Sequence, residues 1–302
     1  MNILIVSGFL GAGKTTFIRA LSKYTGRDLA VFENEFGAAS IDGEILKKET
    51  AAGELNIWEM TEGCICCSMK GDFAASVLTI ANTVNPEVLV IEPTGIGFLS
   101  NIIANLQQIE YEKIRLLKPV TIVDGLSVCR YSKEYESLYT DQISACGTVF
   151  VSKLESALPE EKARVRKQLL KLAPAAKVVT EHYTAMSSEE WLGLLATALD
   201  GRSLKRELPQ EEAMPAPFTL MDTTMEAPEQ LLVMLEDMLR GAYGDVIRAK
   251  GVIGIGGCKY RFDVADGRYG VTGAADDAAC QAVFIGRSVA RQKIRRCFFS
   301  AG

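Results

Sequence analysis

The residues whose types and spacing point most directly to chemistry lie near the start of the chain, in the stretch Gly8–Thr15. Its sequence, Gly-Phe-Leu-Gly-Ala-Gly-Lys-Thr, follows the apolar run Ile3–Val6 and precedes a helix-forming segment, as a phosphate-binding loop does. Backbone N–H groups at a helix N-terminus can surround a polyphosphate only where side chains leave room. That room is left by Gly8, Gly11 and Gly13. Lys14 can reach the β- and γ-phosphates and Thr15 offers a hydroxyl to Mg²⁺, so the sequence predicts a nucleoside triphosphate site rather than a plain glycine-rich turn.

A second segment supplies the other side of the predicted phosphate site. The apolar run Val88–Ile91 is typical of a strand buried on both faces, and it ends in Glu92-Pro93-Thr94-Gly95. A carboxylate at the C-terminal end of such a strand can hold Mg²⁺ directly or through water, which is the role we expect for Glu92. Gly95 can turn its N–H toward a γ-phosphate. The alternative is a strand that ends in an ordinary Pro-Gly turn.

An acidic segment lies one βα unit beyond the phosphate loop, in the stretch Glu33–Asp42. A segment that responds to the γ-phosphate would occupy this place, although an ordinary polar loop is the alternative. Glu35 and Asp42 are the candidates to position an attacking water, and neither is singled out by the sequence.

Three thiols fall within four residues, at Cys64, Cys66 and Cys67. Thiolates are soft ligands that suit Zn²⁺, Cu⁺ or Co²⁺, with zinc the default choice. Three of them leave a fourth position for water, a partner's ligand or a nearby carboxylate such as Glu33, Glu35 or Glu62. The spacing therefore predicts an open metal site suited to exchange, and buried or redox-active cysteines without metal are the alternative.

The segment Ser152-Lys153-Leu154-Glu155 follows the apolar strand Thr148–Val151. In nucleotide-binding folds, a base is read at the C-terminal edge of a parallel strand. A carboxylate at Glu155 can accept from the N1–H and exocyclic amine of guanine, and the stem of Lys153 can lie against the base. His182, the one histidine of the chain, follows a later strand and is more simply explained as a solvated loop residue than as part of this pocket.

The composition limits the classes of protein that fit. The chain has 302 residues, 48% of them hydrophobic, which is enough for two domains. The net charge of −5 argues against a nucleic-acid partner. Apolar runs are all shorter than the roughly 20 residues of a membrane span, and the first strand begins at once, which leaves no room for a signal peptide. We therefore expect a soluble, cytoplasmic protein with no membrane partner.

The order of predicted elements indicates an α/β fold with two domains. Residues 1–200 alternate strands and helices as a P-loop domain with a mostly parallel sheet does. A shift in composition predicts a linker over 201–217, and residues 218–302 predict a small α+β domain. Within these domains the pattern predicts helices over 189–199 and 289–298.

Taken together, the phosphate loop, Glu33–Gly37, Gly63–Cys67 and Glu92–Gly95 resemble the motifs of the CobW-like P-loop GTPases. That family includes metallochaperone GTPases and proteins linked to cobalamin synthesis, zinc homeostasis and nitrile hydratase activation. The resemblance covers most of residues 1–200. It continues more weakly through 248–251 and 283–287, which look like the family's C-terminal domain.

The resemblance implies slow GTP hydrolysis coupled to the binding and delivery of a transition metal. GTP or GDP, Mg²⁺ and zinc, or less favourably Co²⁺, are then the expected cofactors. A client metalloprotein or corrinoid-related protein and a second copy of the chain are the expected partners. The implied nucleotide-binding residues are Gly8, Gly11, Ala12, Gly13, Lys14, Thr15, Thr16, Gly95, Ser152, Lys153 and Glu155. The implied catalytic residues are Lys14, Thr15, Glu35, Asp42 and Glu92, with Thr15 and Glu92 on Mg²⁺ and the three cysteines on the transition metal.

One departure from the family pattern leaves the identity of the nucleotide base, guanine or adenine, undecided. The family usually carries Asn-Lys-x-Asp where this chain has Ser152-Lys153-Leu154-Glu155, so ATP remains an alternative to GTP. The chain also has none of the histidine-rich segments that many relatives carry, which disfavours bulk metal storage. Two other functions stay open: a nucleotide-switched adaptor or activator for a metalloenzyme or corrinoid protein, and a P-loop kinase for a small molecule.

Overall fold

The computed structural model of the chain describes residues 1–27, 29–34, 55–60, 70–201 and 215–299. The described residues fall into two compact units, one ending at Gly201 and one beginning at Pro215. Residues 202–214 of the predicted linker over 201–217 lie outside the described residues, and its last two residues, Ala216 and Pro217, belong to a strand of the second unit. The domain boundaries remain a prediction.

The first unit is built on a parallel sheet. Its strands are β1 Asn2–Ser7, β2 Leu29–Asn34, β3 Leu55–Met60, β4 Val88–Glu92, β5 Arg115–Leu116, β6 Val120–Asp124, β7 Thr148–Ser152 and β8 Lys177–Val179. They lie in the order β3-β2-β4-β1-β6-β7-β8, with the short β5 also paired to β1, and each pairing is parallel. The carboxyl ends of the strands therefore meet at one edge, where the predicted site residues lie.

Helices cover both faces of this sheet. They are α1 Lys14–Thr25, α2 Lys70–Thr83, α3 Leu99–Leu106, α4 Val128–Glu134, α5 Glu136–Ser144, α6 Pro159–Leu172 and α7 Ser188–Ala196. One apolar cluster joins alternate strand residues to Phe17 of α1 and Trp191 of α7. A second joins the other strand residues to Phe73 of α2 and Leu99 of α3. The central strands are buried on both faces, which explains their uninterrupted apolar sequences. The prediction of an α/β fold with a mostly parallel sheet is confirmed.

The predicted helix over 189–199 is wrong at its end. The helix stops at Ala196, where Thr197 turns to an extended backbone (φ −85°, ψ 109°). The chain then pairs with the segment before β6, because Lys118 N–H donates to Thr197 O at 2.9 Å and Leu199 N–H to Leu116 O at 2.9 Å. This pairing joins segments about 80 residues apart, which a local helical pattern does not reveal.

The second unit is a mainly antiparallel sheet with helices on one face, which is the α+β architecture that the sequence predicts. Its strands are β9 Ala216–Met221, β10 Thr224–Met225, β11 Val246–Ile255, β12 Cys258–Ala265, β13 Arg268–Gly273 and β14 Gln281–Gly286, in the order β13-β12-β11-β14-β9 with β10 paired to β11. The helices are α8 Pro228–Leu239 and α9 Arg291–Phe298. Leu235 of α8 and Ile294 of α9 are fully buried against the sheet residues Phe262 and Phe284.

The last helix begins two residues later than the predicted 289. Ala290 is its N-cap, with a non-helical backbone (φ −75°, ψ 69°), because its N–H donates to Tyr243 O at 2.9 Å. Across the described parts of both units, no helix has the length and apolar character needed to cross a membrane.

Candidate nucleotide-binding site

The phosphate loop connects β1 to α1, and its backbone conformation requires glycine. Gly8 has φ +142°, and a Cβ there would lie 2.2 Å from Ile122 O in the neighbouring strand β6. Gly13 is the N-cap of α1 with φ +97°, a left-handed conformation that L side chains rarely adopt. No atom would lie within 4 Å of a Cβ at Gly13, so conformation rather than space selects glycine there. The glycines therefore place no side chains of their own in front of the first turn of α1, so an anion can reach the backbone N–H groups there.

An aromatic cluster anchors the loop from behind. Phe9 is 3% exposed, and its ring centroid lies 4.4 Å from that of Tyr131, 5.1 Å from that of Tyr135 and 6.3 Å from that of Tyr139. These tyrosines belong to α4 and α5 or to the residue between them. Ala12 N–H donates to Phe9 O at 3.3 Å, which closes the loop on itself. Phe9, at a position for which the motif specifies no residue, is thus fixed by packing.

Lys14, Thr15 and Glu92 come together where the loop meets the end of β4. Thr15 Oγ1 donates to the Glu92 carboxylate, at 3.2 Å from each oxygen. Lys14 Nζ lies 4.0 Å from Glu92 Oε1 and donates to Phe9 O at 3.4 Å. The Lys14 and Glu92 side chains are only 9% and 14% exposed. A hydroxyl and a carboxylate at this distance are the hard oxygen ligands that Mg²⁺ takes beside nucleotide phosphates. Thr16, also predicted to bind phosphate, is exposed on the first turn of α1.

The segment after β4 packs directly on the phosphate loop. A Cβ at Gly95 would lie 2.6 Å from Leu10 N and 2.9 Å from Leu10 Cα, so only glycine fits this contact. Next to it, the Thr94 hydroxyl is buried and has no hydrogen-bond partner among the described residues. A buried hydroxyl at this place fits a site whose ligand supplies the missing partner. Sequence reasoning gave Thr94 no role.

A second carboxylate stands beside Glu92 on the neighbouring strand. Glu33 is the last residue but one of β2, is 4% exposed and is in register with Glu92. The sequence proposed Glu33 as a supporting ligand for the cysteine site. The structure places Glu33 at the sheet edge that carries Glu92, a position compatible with the predicted cysteine metal site and with the phosphate site.

The predicted base-reading segment is held to the phosphate loop by its serine. Ser152 is buried, and its Oγ is within hydrogen-bond distance of two carbonyls, Ala12 O at 2.7 Å and Val123 O at 3.2 Å. The hydroxyl proton is therefore used within the protein. Lys153 has φ +61° and its Nζ donates to Asp124 Oδ2 at 2.6 Å. Asp124 ends β6 and was missed by sequence reasoning, although its place at the C-terminal end of a buried strand was a usable signal.

Glu155 and His182 meet at the outer end of this segment. His182 Nε2 lies 3.3 Å from Glu155 Oε1, with the side chains 30% and 52% exposed. His182 Nδ1 is 2.7 Å from Thr184 Oγ1, which fixes the ring. The next residue, Tyr183, is buried in the core. Its pKa is raised by burial and by the nearby negative charge of Glu155. The sequence favoured a solvated loop for His182, whereas the structure places it against the predicted base-reading carboxylate.

Five predicted site residues lie outside the described residues, namely Glu35, Asp42, Cys64, Cys66 and Cys67. The predicted switch and cysteine metal site therefore remain predictions. Within the described ranges, no group of three or more His, Cys, Asp or Glu side chains is arranged to hold a metal ion.

The parallel sheet, the glycine loop after its first strand and the convergence of Lys14, Thr15 and Glu92 define a P-loop nucleoside triphosphate-binding protein. The family profile described as CobW/HypB/UreG, nucleotide-binding domain, matches residues 2–180. The profile described as Cobalamin synthesis protein cobW C-terminal domain matches residues 218–301. The chain belongs to the CobW/HypB/UreG family, as the resemblance predicted.

Known relatives carry names that refer to zinc and GTP. The chain is 30% identical over 237 residues to "Zinc chaperone CobW" of Pseudomonas aeruginosa, covering 67% of this chain and 63% of that protein. It is 30% identical over 164 residues to "Zinc-regulated GTPase metalloprotein activator 1" of Dictyostelium discoideum, covering 48% of this chain and 34% of that protein. The chain thus spans less than two thirds of the length of either relative. The crystal structure of Zn(II)-bound YjiA GTPase from E. coli is 18% identical, with 99% and 98% coverage and a TM-score of 0.45.

Proposed function

We propose that this chain is a GTP-hydrolysing metallochaperone or metalloenzyme activator that couples its nucleotide state to zinc binding at Cys64-Ile65-Cys66-Cys67. The observation that carries the proposal is the contact of Thr15 with Glu92 beside Lys14, at a phosphate loop of the CobW type. The names of the relatives support GTP as substrate and zinc as cargo.

Phosphoryl transfer in this site is mainly a matter of positioning and charge neutralisation. Backbone N–H groups at the start of α1 bind the phosphates, and Lys14 neutralises the charge that develops on the transferred group. Thr15 and Glu92 would hold Mg²⁺, which supplies Lewis-acid stabilisation when bound. Before that, the Thr15 hydroxyl is kept in place by the Glu92 carboxylate.

The attacking water must lie in line with the bond between the γ-phosphorus and the leaving GDP, and we expect groups of two segments to surround it. Gly95 presents its backbone next to the phosphate loop, with the buried Thr94 hydroxyl beside it. Glu35 and Asp42 are our candidates to orient the water. Loss of the γ-phosphate would release the segment that carries them. Since the cysteines follow this segment in sequence, we expect the release to change the zinc site.

Guanine recognition rests on Glu155 in this proposal. Ser152 is engaged with the phosphate loop and Lys153 with Asp124, which leaves the Glu155 carboxylate as the acceptor for the base. The same arrangement keeps ATP use open, because one carboxylate on a long side chain discriminates less than a full Asn-Lys-x-Asp set.

The proposal is tested by phosphate release and by zinc stoichiometry on the purified chain. We expect Mg²⁺-dependent release of phosphate from GTP, lost in Lys14→Ala. We expect one zinc ion per chain under anaerobic conditions, lost in Cys66→Ala and kept in Cys258→Ala, whose thiol is exposed on the second unit. Transfer of phosphate to a small acceptor would favour a kinase, and nucleotide binding without hydrolysis would favour an adaptor. Zinc bound equally by Cys66→Ala would contradict the assigned metal site.

A further inference from the structure

A buried glutamine holds the segment that follows β4. Gln142 of α5 is 1% exposed, and its Nε2 donates to Gly95 O at 3.1 Å and to Gly97 O at 3.0 Å. An amide nitrogen has two N–H donors, so both are used by this one segment. The segment itself adds a turn, in which Gly97 N–H donates to Thr94 O at 3.1 Å.

The same segment is pressed on the phosphate loop from its other side. Gly95 approaches Leu10 so closely that a methyl group would lie 2.6 Å from the Leu10 nitrogen. The Gly95 backbone is therefore fixed between two neighbours, the phosphate loop in front and the Gln142 amide behind. A displacement in either direction would break a close backbone contact or two buried hydrogen bonds.

Gln142 is itself fixed to the sheet. Thr121 Oγ1 donates to Gln142 O at 2.6 Å, and Thr121 lies in β6 in register with Ser7, the last residue before the phosphate loop. The preceding residue of the helix, Asp141, accepts from Ser100 N–H at 3.1 Å near the start of α3. Helix α5 is thus hydrogen-bonded to β6 and to the start of α3, the helix that follows the segment that Gln142 binds.

We propose that Gln142 is a positioning residue for phosphoryl transfer: it holds the Gly95 backbone against the phosphate loop and thereby sets the hydrolysis rate without touching the nucleotide. This inference rests on the proposed hydrolysis of GTP. Without the amide, two buried carbonyls lose their donor, and the segment moves to regain hydrogen bonds. Misplacement of a catalytic segment by about 1 Å can cost on the order of 10²-fold in rate. Nucleotide binding depends instead on the loop and on α1, whereas the side-chain hydrogen bonds of Gln142 within the described residues go to the segment after β4.

The test compares Gln142→Met with Gln168→Met. Methionine has a similar length and no N–H donor. Gln168 is a matched control, because its Nε2 ties α6 to Ser132 of α4 at 2.9 Å, away from the β4 segment. Phosphate release gives kcat, a fluorescent GDP analogue gives Kd, and thermal denaturation gives stability. We expect Gln142→Met to lower kcat at least tenfold with Kd for GDP within twofold of wild type, and Gln168→Met to leave both within twofold.

The outcomes separate this inference from the function beneath it. A kcat within twofold of wild type for Gln142→Met overturns the positioning role, as does an equal fall in kcat and GDP affinity, which a purely structural role gives. Gln142→Asn, one methylene shorter, decides the case if the methionine variant does not fold, with a kcat again at least tenfold lower expected. Wild-type protein that releases no phosphate from GTP overturns the proposed function instead.

Discussion

Glu92 concentrates the most chemistry at the scale of single residues. Its carboxylate accepts from Thr15 and lies 4.0 Å from Lys14 Nζ, so one side chain meets both polar side chains at the end of the phosphate loop. We predict that Glu92→Gln lowers kcat for GTP by about 10²-fold, because the variant keeps the shape but loses the charge that would hold Mg²⁺. Phosphate release at saturating Mg²⁺ measures it. Glu87→Gln, at the exposed start of the same segment, should leave kcat unchanged, and a Glu92→Gln rate within threefold of wild type would refute the role.

Base selection is a second question for a single residue, Glu155. We predict that Glu155→Gln reduces the preference for GTP over ATP at least tenfold, because the amide can no longer accept two hydrogen bonds from guanine. Competition binding with GDP and ADP measures the ratio. The control is Glu181→Gln, which removes a nearby exposed carboxylate that pairs with Lys162. An unchanged ratio in Glu155→Gln would show that another group reads the base.

The reactivity of Cys146 follows from its surroundings. Burial raises the pKa of this thiol to about 11, and its Sγ donates to Ile143 O at 3.2 Å. We predict that iodoacetamide at pH 8 alkylates the half-buried Cys146 at least tenfold more slowly than the exposed Cys258, as peptide mass spectrometry would show. Alkylation of both at equal rates would contradict the assignment.

The same pKa shift has a consequence for stability. Below about pH 9 the thiol is protonated in the folded and the unfolded chain alike. Between about pH 9 and 11 the Cys146 thiol ionises only in the unfolded chain. The contribution of Cys146 to the free energy of unfolding therefore falls as the pH rises through that range.

At the scale of elements, the contact between the β4 segment and the phosphate loop is the feature most sensitive to substitution. We predict that Gly95→Ala lowers kcat at least tenfold, because its methyl group would lie 2.6 Å from Leu10 N. Gly193→Ala is the matched control, since a Cβ at this helical position meets nothing within 4 Å. It should raise stability by up to about 1 kcal/mol with no loss of activity. Denaturant unfolding and phosphate release together decide the case, and equal activity of the two variants would contradict the contact.

Local elements were predictable from the sequence, and long-range contacts were not. β1, the glycine loop and α1 follow from residues within 25 positions of one another, and so does the apolar strand that ends in Glu92. The pairing that ends α7 early and the ion pair of Lys153 with Asp124 join residues far apart in sequence. Gln142 lies in a helix for which the sequence indicated no element. Its role depends on loop carbonyls more than 40 residues away, and backbone carbonyls leave no mark on the sequence.

At the scale of the whole molecule, the chain combines two units that each have their own core. Phe17, Trp191 and their neighbours pack in the first, and Phe262, Phe284 and their neighbours in the second. Both units match CobW profiles. The proposed cycle places hydrolysis in the first unit, where the cysteines lie in sequence between the predicted switch and Glu92. If the bound nucleotide changes the affinity for zinc by some factor, bound zinc must change the relative affinities for GTP and GDP by the same factor.

The most direct test of this account is the zinc affinity of the chain measured anaerobically with GDP and with a non-hydrolysable GTP analogue, in wild type and Cys66→Ala. We predict that wild type binds zinc at least fivefold more tightly with the GTP analogue, because the γ-phosphate orders the segments on both sides of the cysteines. Cys66→Ala should lose tight binding in both states. Equal zinc affinity of the wild-type protein in the two nucleotide states would contradict the coupling on which the proposed function depends.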